Sequence, residues 1–209
     1  MKNIQNIIFD LGGVIINLDV YKTIEEVNRI SHVPFETIYT QAKQNDLFNL
    51  LDKGKISNKD FFKELKKELN FRGNDKDLVN AWNAMLLDVP ESRLDTLVDA
   101  KQNYNTYLLS NTCEPHIEVF ERELYLEHGV KNFEDYFDRV YYSCRVGMRK
   151  PDKEIFELVL KENELNPTET VFIDDSIQHV KAAGECGIRS YLLPKNVEIG
   201  DLLKDLKLL

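Results

Sequence analysis

The chain contains residues able to carry out phosphate or metal chemistry directly after short apolar runs. Asp10 follows the apolar run 7–9, Ser110 follows a second run, and Asp174 and Asp175 end a third. In a fourth motif, Lys150 presents a positive charge directly before a proline. A carboxylate can attack an electrophile or bind a metal ion, a lysine can hold an anion, and Mg²⁺ prefers carboxylate ligands. Together these groups predict a phosphoryl-transfer site.

Each motif alone also has an ordinary structural explanation. Asp10 could cap a turn in which the following glycines adopt positive φ, and Ser110 could cap a helix. Lys150 could be a solvated surface residue, and one of the paired aspartates could cap a helix N-terminus. The combination favours chemistry, because four such motifs occur in a definite order at the ends of predicted elements. In one parallel sheet they would meet in a single crevice at its carboxyl edge.

The elements that must position these residues are short strands alternating with helices. Helical periodicity covers Asp152–Glu164, with Pro151 at its first turn, and Ser176–Cys186, with Ser176 as N-cap and Gly187 as the stop. This alternation predicts an α/β fold with a doubly wound, Rossmann-like parallel sheet. The predicted strands are Ile7–Phe9, Thr106–Leu109, Arg139–Tyr142, Val171–Ile173 and Ser190–Leu193.

A long helical stretch interrupts this alternation between the first two strands. It predicts an all-helical insertion at residues 18–88, while residues 1–17 and 89–209 form the α/β core. An insertion at this point would lie over the carboxyl end of the sheet, and therefore over Asp10. The predicted helices are Val20–Ser31, Pro34–Asn45, Asp46–Lys53, Asn58–Leu69 and Lys76–Leu86.

Composition narrows the possible partners. The net charge of −9 over 209 residues argues against nucleic acid, which is bound by clustered lysine and arginine. No apolar run approaches the roughly 18 residues of a membrane helix, and we expect neither a signal peptide nor a membrane partner. The three cysteines are widely spaced, which predicts reduced, mostly buried thiols in a cytoplasmic protein. The oligomeric state stays open.

The four motifs, FDLGGV, LLSNT, GMRKP and FIDDS, resemble motifs I to IV of the haloacid dehalogenase-like hydrolases. The resemblance covers essentially the whole chain, and the helical insertion looks like the C1-type cap of that family. The pattern is most similar to bacterial phosphatases that act on α-D-glucose 1-phosphate and related sugar phosphates. The resemblance therefore implies a Mg²⁺-dependent phosphatase acting on a small phosphorylated metabolite, such as a sugar 1-phosphate.

The resemblance also implies a role for each motif. Asp10 would be the nucleophile that forms an aspartyl-phosphate, and it would bind Mg²⁺ through its other oxygen. Ser110 and the backbone N–H of Asn111 would hold phosphoryl oxygens, while Lys150 would neutralise the phosphate and the nucleophile. The remaining metal ligands would be the backbone carbonyl of Gly12, Asp175 and, as a second ligand or an orienting neighbour, Asp174.

Gly12 departs from the family pattern. Most phosphatases of the family have an aspartate there, which protonates the leaving oxygen and later activates water. Its loss implies a slower enzyme, another acid, or a leaving group that needs less help, such as an anomeric oxygen. Asp19 is the nearest spare carboxylate, although helix capping is the simpler explanation for it.

Two other functions remain open. A dehalogenase of the same fold would also lack the acid at Gly12, but it would have no use for the acid pair Asp174 and Asp175. A catalytically degenerate binding or regulatory protein would not need Asp10 and Lys150. A chelator test separates the first alternative from a phosphatase, and an Asp10→Asn variant separates the second.

The insertion is expected to set specificity by closing over the site. Phe48, Asn49, Trp82 and Asn83 could contact the substrate, although helix packing explains their positions more simply. Arg149 could reach the substrate or form a surface salt bridge. The histidines show no metal-ligand spacing and are interpreted as surface or capping residues: His32, His116, His128 and His179.

Overall fold

The computed structural model describes residues 4–39 and 46–209, and a parallel five-stranded sheet forms its centre. The strands lie in the order β3-β2-β1-β4-β5, and β1 pairs in parallel with both β2 and β4. Each predicted strand agrees with the observed one to within one residue at either end, which confirms the doubly wound α/β class. The strands are β1 (Asn6–Phe9), β2 (Asn105–Ser110), β3 (Arg139–Tyr142), β4 (Thr170–Asp174) and β5 (Arg189–Leu192).

Helices connect these strands, and among the described residues none is long and apolar enough to cross a bilayer. Short 3₁₀ turns lie at Phe35–Thr37, Phe133–Tyr136 and Pro167–Glu169. The helices are α1 (Val20–Ile30), α2 (Asp46–Asp52), α3 (Asn58–Glu68), α4 (Asp75–Asn83), α5 (Glu91–Asn103), α6 (Glu114–His128), α7 (Ser143–Val146), α8 (Lys153–Glu162), α9 (Ile177–Glu185) and α10 (Ile199–Asp205).

Both faces of the sheet are buried by helices. Ile7 and Phe9 of β1 join a hydrophobic cluster that includes residues of α5, α6 and α10. Ile8 points to the opposite face, where it joins a cluster with Phe156 of α8 and Phe172 of β4. This alternation follows from the two-residue period of a strand, and burial on both faces explains the three consecutive apolar residues in β1 and in β4.

Helices α1 to α4, here called the cap, pack around a separate hydrophobic centre. The rings of Phe48 and Trp82 stack at its middle with their centroids 5.5 Å apart. Ser57 and Asn74 begin α3 and α4, and each side chain accepts a backbone N–H of the first turn. Other aromatic residues buried in the same cluster are Phe35, Tyr39, Phe61, Phe62 and Phe71.

Three predicted helices differ from the structure. The helix expected over Lys76–Leu86 ends at Asn83, because Leu86 pairs with Leu18. The helix expected over Pro34–Asn45 is only the 3₁₀ turn Phe35–Thr37 in the described part, and residues 40–45 lie outside it. A single turn is enough to bury Phe35, whose ring stacks on Tyr39, so the apolar spacing does not require a long helix. Pro151 was expected in the first turn of its helix, but α8 begins at Lys153.

The two linkers between the sheet and the cap pair with each other. The N–H of Asn17 donates to the carbonyl of Asp88, and the N–H of Leu87 donates to the carbonyl of Asn17, both at 3.0 Å. Between them, Leu18 and Leu86 form an antiparallel bridge. The predicted boundaries of the insertion, after residues 17 and 88, fall in this ladder and stay a prediction.

Candidate active site

The carboxyl ends of three neighbouring strands bring the predicted acids and Ser110 together. Asp10 directly follows β1, Asp174 is the last residue of β4, and Asp175 comes next. Because β1 and β4 are paired in register, one carboxylate oxygen from each of the three residues lies within 4.8 Å of the others. Ser110 ends β2 on the other side of β1. Ser110, Asp10 and Asp175 line one cavity between the sheet and the cap.

Lys150 holds two of these carboxylates although it is completely buried. Its Nζ donates to Asp10 Oδ1 and to Asp174 Oδ2, each at 2.7 Å, and to the carbonyl of Leu109 at 2.8 Å. An ammonium group has three donors, so this arrangement uses all of them. The lysine therefore sets the position of the predicted nucleophile, and it comes from the loop between α7 and α8 and not from a strand.

Asn111 fixes the backbone of this lysine. Its side-chain oxygen accepts the N–H of Lys150 and its amide donates to the carbonyl of Lys150, both at 2.8 Å. The sequence analysis predicted only the backbone N–H of Asn111 as a phosphate ligand and missed this clamp. The serine-asparagine sequence after a strand was the available signal, but the partner lies 39 residues away.

The paired aspartates are not equivalent. Asp174 is fully buried and accepts from Lys150, from the N–H of Ser176 at 2.8 Å, and lies 3.0 Å from His179 Nδ1. Asp175 is exposed to the cavity. The structure thus favours Asp175 as a metal ligand and makes Asp174 the residue that orients the lysine. His179, interpreted as an ordinary surface or capping residue, instead supports this acid.

Gly13 makes room for Asp175. A Cβ atom at Gly13 would lie 2.3 Å from Asp175 Oδ2, and the φ of Gly13 is +75°. Both observations require glycine, because an L side chain would be strained and would displace the carboxylate. The positive φ that was considered a simple turn property therefore serves the site.

The charges in this crevice do not balance. Burial, followed by the charge of Asp174, raises the pKa of Asp10. Burial also opposes ionisation of Asp174, but the Lys150 ammonium and the His179 hydrogen bond outweigh it and hold the pKa of Asp174 low. Three carboxylates thus face one lysine, and a divalent cation bound by their oxygens would supply the missing positive charge.

Leu18 occupies the space beside Gly12. A Cβ at Gly12 would lie 2.5 Å from Leu18 Cδ1, so an apolar linker side chain stands where the family pattern has an acid. Asp19, the considered substitute acid, caps α1 by accepting the N–H of Tyr21 at 3.0 Å. It is not among the residues that line the cavity. The capping explanation for Asp19 therefore holds, and no sequence motif indicated the role of Leu18.

A cavity of about 650 Å³ lies between this crevice and the cap. Of the four suggested cap residues, Phe48, Asn49 and Trp82 line it. Asn83 does not, and its amide instead donates to the carbonyl of Val79 at 2.8 Å. Phe48 and Trp82 are also core residues of the cap, so the packing interpretation is correct for them, and their contact with the substrate stays a prediction.

Arg149 and Lys53 connect the sheet side of the cavity to α2. Arg149 Nη1 lies 3.2 Å from Asp52 Oδ2 and also donates to Asn49 Oδ1. Lys53 Nζ lies 2.7 Å from Asp152 Oδ2. The Arg149 pair is largely buried and lines the cavity, so it is not the surface salt bridge that one interpretation predicted.

His116 is the other histidine whose interpretation was wrong. It lines the cavity, and its ring stacks on Trp82 with the centroids 5.0 Å apart. Burial lowers the pKa of His116 to about 4, so the imidazole is neutral at physiological pH. Cys113 lies nearby but is buried outside the cavity, and burial raises the pKa of its thiol to about 12. All three cysteines are free.

The sequence profile of the haloacid dehalogenase-like hydrolases matches residues 4–187. The chain belongs to this family. Among curated relatives, the D-ribitol-5-phosphate phosphatase of Bacteroides thetaiotaomicron is 29% identical over 90% of this chain and 91% of its own length. A sesquiterpene phosphatase of Aspergillus oryzae is 27% identical over 87% of this chain and 85% of its own length.

A solved structure from the same family is also similar over nearly the full length. It is a mutant family enzyme from Bacteroides thetaiotaomicron, crystallised with magnesium and inorganic phosphate. It is 33% identical, covers 96% of this chain and 99% of its own, and superposes with a TM-score of 0.91. The family membership and the parallel sheet with its helical cap agree with the resemblance seen in the four motifs.

Proposed function

We propose that the protein is a Mg²⁺-dependent phosphatase that hydrolyses a small phosphorylated metabolite through an aspartyl-phosphate on Asp10. The observation that carries this proposal is the buried Lys150, which binds Asp10 and Asp174 at once. It orients Asp10 and opposes burial and the charge of Asp174, which together raise the pKa of Asp10 to about 8. The named phosphatase relatives and the magnesium and phosphate in the similar crystal structure support it.

In the first step, Asp10 attacks the phosphorus atom. Lys150 takes Asp10 Oδ1, while Oδ2 makes no hydrogen bond to any described residue and is available for attack. A phosphorus–oxygen bond to Asp10 forms as the ester bond breaks, and the alcohol leaves with a proton from solvent. Ser110 and the N–H of Asn111 hold the phosphoryl oxygens. Asp10, Asp175 and the carbonyl of Gly12 would hold Mg²⁺, which would supply positive charge to those oxygens.

In the second step, water attacks the aspartyl-phosphate, releases inorganic phosphate and regenerates Asp10. Neither step receives acid–base help from position 12, where Gly12 has no side chain and Leu18 fills the space. General acid–base catalysis is typically worth about 10²–10⁴ in rate. We therefore propose that the enzyme is slow on esters of ordinary alcohols unless binding energy from the rest of the substrate compensates.

We further propose a phosphorylated sugar or sugar alcohol as the substrate. A sugar 1-phosphate is favoured by the missing acid, because an anomeric oxygen leaves with less protonation help than a primary alcohol. A polyol phosphate is favoured by the ribitol phosphate relative. The net charge of −9 disfavours nucleic acid, and the free cysteines suit a reducing cytoplasm.

The test is a panel of sugar, sugar-alcohol, nucleotide and acyl phosphates with added Mg²⁺, in which released phosphate is measured. We expect hydrolysis of at least one sugar or polyol phosphate by the wild type and none by Asp10→Asn. Equal turnover by the two proteins would reject Asp10 as the nucleophile, and no turnover at all would favour the degenerate binding protein. Activity that survives EDTA on a haloacid would favour the dehalogenase.

A further inference from the structure

The α2 side of the cavity carries polar groups that the phosphoryl site does not use. Asp52 and Arg149 form an ion pair there, with side chains only 14% and 17% exposed. Both residues and Asn49 line the cavity that contains Asp10. An ion pair shielded from solvent in this way is weak support for stability, because desolvation offsets the attraction. Its place in the cavity therefore calls for another explanation.

The carboxylate of Asp52 is under-satisfied. Arg149 approaches only Oδ2, at 3.2 Å, and no described residue donates a hydrogen bond to either oxygen of Asp52. Burial raises the pKa of Asp52 to about 6 in spite of the nearby guanidinium. Secluded carboxylates normally accept several hydrogen bonds, so this one has acceptor positions open toward the cavity.

Asn49 offers the complementary group. Its Oδ1 accepts from Arg149, which turns the amide nitrogen away from the arginine. That nitrogen donates to no described residue, whereas Arg149 is occupied by Asn49 and by the carbonyl of Lys150 at 3.3 Å. An open acceptor on Asp52 and an open donor on Asn49, one helical turn apart on α2, match hydroxyl groups, which both donate and accept.

The geometry points to a subsite, formed by Asp52 and Asn49 and positioned by Arg149, that binds hydroxyl groups of the leaving alcohol. This inference rests on the proposed phosphatase function and names its substrate class as polyol phosphates. A second phosphate group would be repelled by Asp52, and an alkyl chain would leave its carboxylate unpaired. A neutral, hydroxyl-bearing chain satisfies both groups.

The subsite lies within reach of the phosphoryl site. Arg149 directly precedes Lys150, and consecutive Cα atoms are about 3.8 Å apart. The Lys150 side chain runs to Asp10, whereas that of Arg149 runs to α2. A substrate whose phosphate lies at Asp10 therefore extends its carbon chain past this peptide toward Asp52, in a cavity of a size usual for small metabolites.

A purely structural role is the competing explanation, since Arg149 and Asp52 join the core to the cap. A second ion pair, between Lys53 and Asp152, joins the same two parts at the next residue of α2. It provides a matched control. Lys53→Met weakens the contact between α2 and the core but leaves the carboxylate of Asp52 in place.

The experiment compares kcat/KM for a pentitol 5-phosphate with kcat/KM for p-nitrophenyl phosphate, which has no hydroxyl groups. In Asp52→Asn we expect the ratio of the two constants to fall about 10- to 100-fold, the usual weight of hydrogen bonds to a charged acceptor. In Lys53→Met both constants fall in proportion and the ratio stays at the wild-type value. Hydrolysis of the aryl phosphate shows that each variant is folded, and Asp52→Ser serves as a second variant.

An unchanged ratio in both Asp52 variants would overturn the subsite, as would an equal fall of the ratio in Lys53→Met. Wild-type protein that hydrolyses the aryl phosphate but shows no preference for the pentitol phosphate would also overturn it, while the phosphatase function would stand. Wild-type protein inactive on every phosphate ester would instead reject the proposed function itself.

Discussion

The two sides of the cavity differ in how fully their polar groups are hydrogen-bonded within the protein. On the core crevice, formed by Asp10, Ser110, Lys150, Asp174 and Asp175, the lysine uses every donor within the protein. The cap wall is formed by Phe48, Asn49, Asp52 and Trp82. Asn49 and Asp52 both contact Arg149, but the amide nitrogen of Asn49 donates to no described residue and the carboxylate of Asp52 accepts no hydrogen bond from one. In the proposed function, the core crevice would carry the groups for phosphoryl transfer, whereas the open polar groups of the cap wall would be paired by the substrate.

The largest expected effect comes from removing the cation of the core crevice. Lys150→Met leaves Asp10 and Asp174 buried side by side without their lysine. We expect a loss of about 3–5 kcal/mol in the free energy of unfolding, measured with urea in the absence of Mg²⁺. We also expect kcat/KM to fall at least about 10³-fold, because oriented charge stabilisation is lost.

The double variant Lys150→Met with Asp174→Asn is the control. It removes one of the two unpaired acids, so part of the stability returns while the activity stays low. Loss of stability equal to that of the single variant would show that packing of the lysine side chain, and not charge, dominates the core crevice.

Position 12, which lies between the core crevice and the cap wall, can be tested by replacing Gly12 with the aspartate that the family pattern has there. In Gly12→Asp with Leu18→Ala, the carboxylate takes the space that Leu18 fills. We expect kcat/KM for a simple alkyl phosphate to rise about 10²-fold relative to p-nitrophenyl phosphate, because only the alkyl leaving group needs a proton. Gly12→Ala with Leu18→Ala opens the same space without an acid, and an equal rise there would contradict the explanation.

A smaller effect is expected from crowding Asp175. Gly13→Ala places a Cβ against its carboxylate, whereas Gly147, with a φ of +80°, has no atom within 4 Å of that position. Both alanine variants should lose about 1 kcal/mol of stability through backbone strain. Only Gly13→Ala should raise the Mg²⁺ concentration for half-maximal activity, by about 10-fold or more. A similar rise in Gly147→Ala would remove Asp175 from the metal site.

The smallest effect concerns His116 beside the cap wall. The unfolded imidazole binds a proton below its ordinary pKa of 6.5, whereas the folded one stays neutral down to about 4. The unfolded state therefore binds more protons in this window, and stability falls as the pH is lowered through it. Between pH 7 and pH 5, the wild type should lose roughly 1–2 kcal/mol more than His116→Phe, which keeps a ring on Trp82. Parallel losses in urea unfolding would show that other groups dominate.

The same contrast explains what could be predicted from the sequence. Asp10, Ser110 and Asp174 were placed correctly because a strand end fixes where its last residue points once the sheet is parallel. The Asn111 clamp and the contact between His179 and Asp174 depend on side-chain directions that no motif specifies. On the cap, helical periodicity identified Phe48 and Trp82 as buried but could not show that they also line the cavity. Leu18 was missed because its position depends on pairing with a linker 68 residues away.

The paired linkers make the cap a replaceable part. Because the chain enters and leaves it through hydrogen-bonded neighbours, Asn17 and Leu87, the two cut ends lie side by side. A short turn could join them, or another helical unit could be inserted there, without changing the register of β1. The helical cap can therefore be replaced in the chain while the sheet and its carboxyl-end residues stay unchanged. Leu18 is the exception, because this linker residue packs beside Gly12. A replacement of the cap that moved Leu18 would also change the surroundings of Asp10.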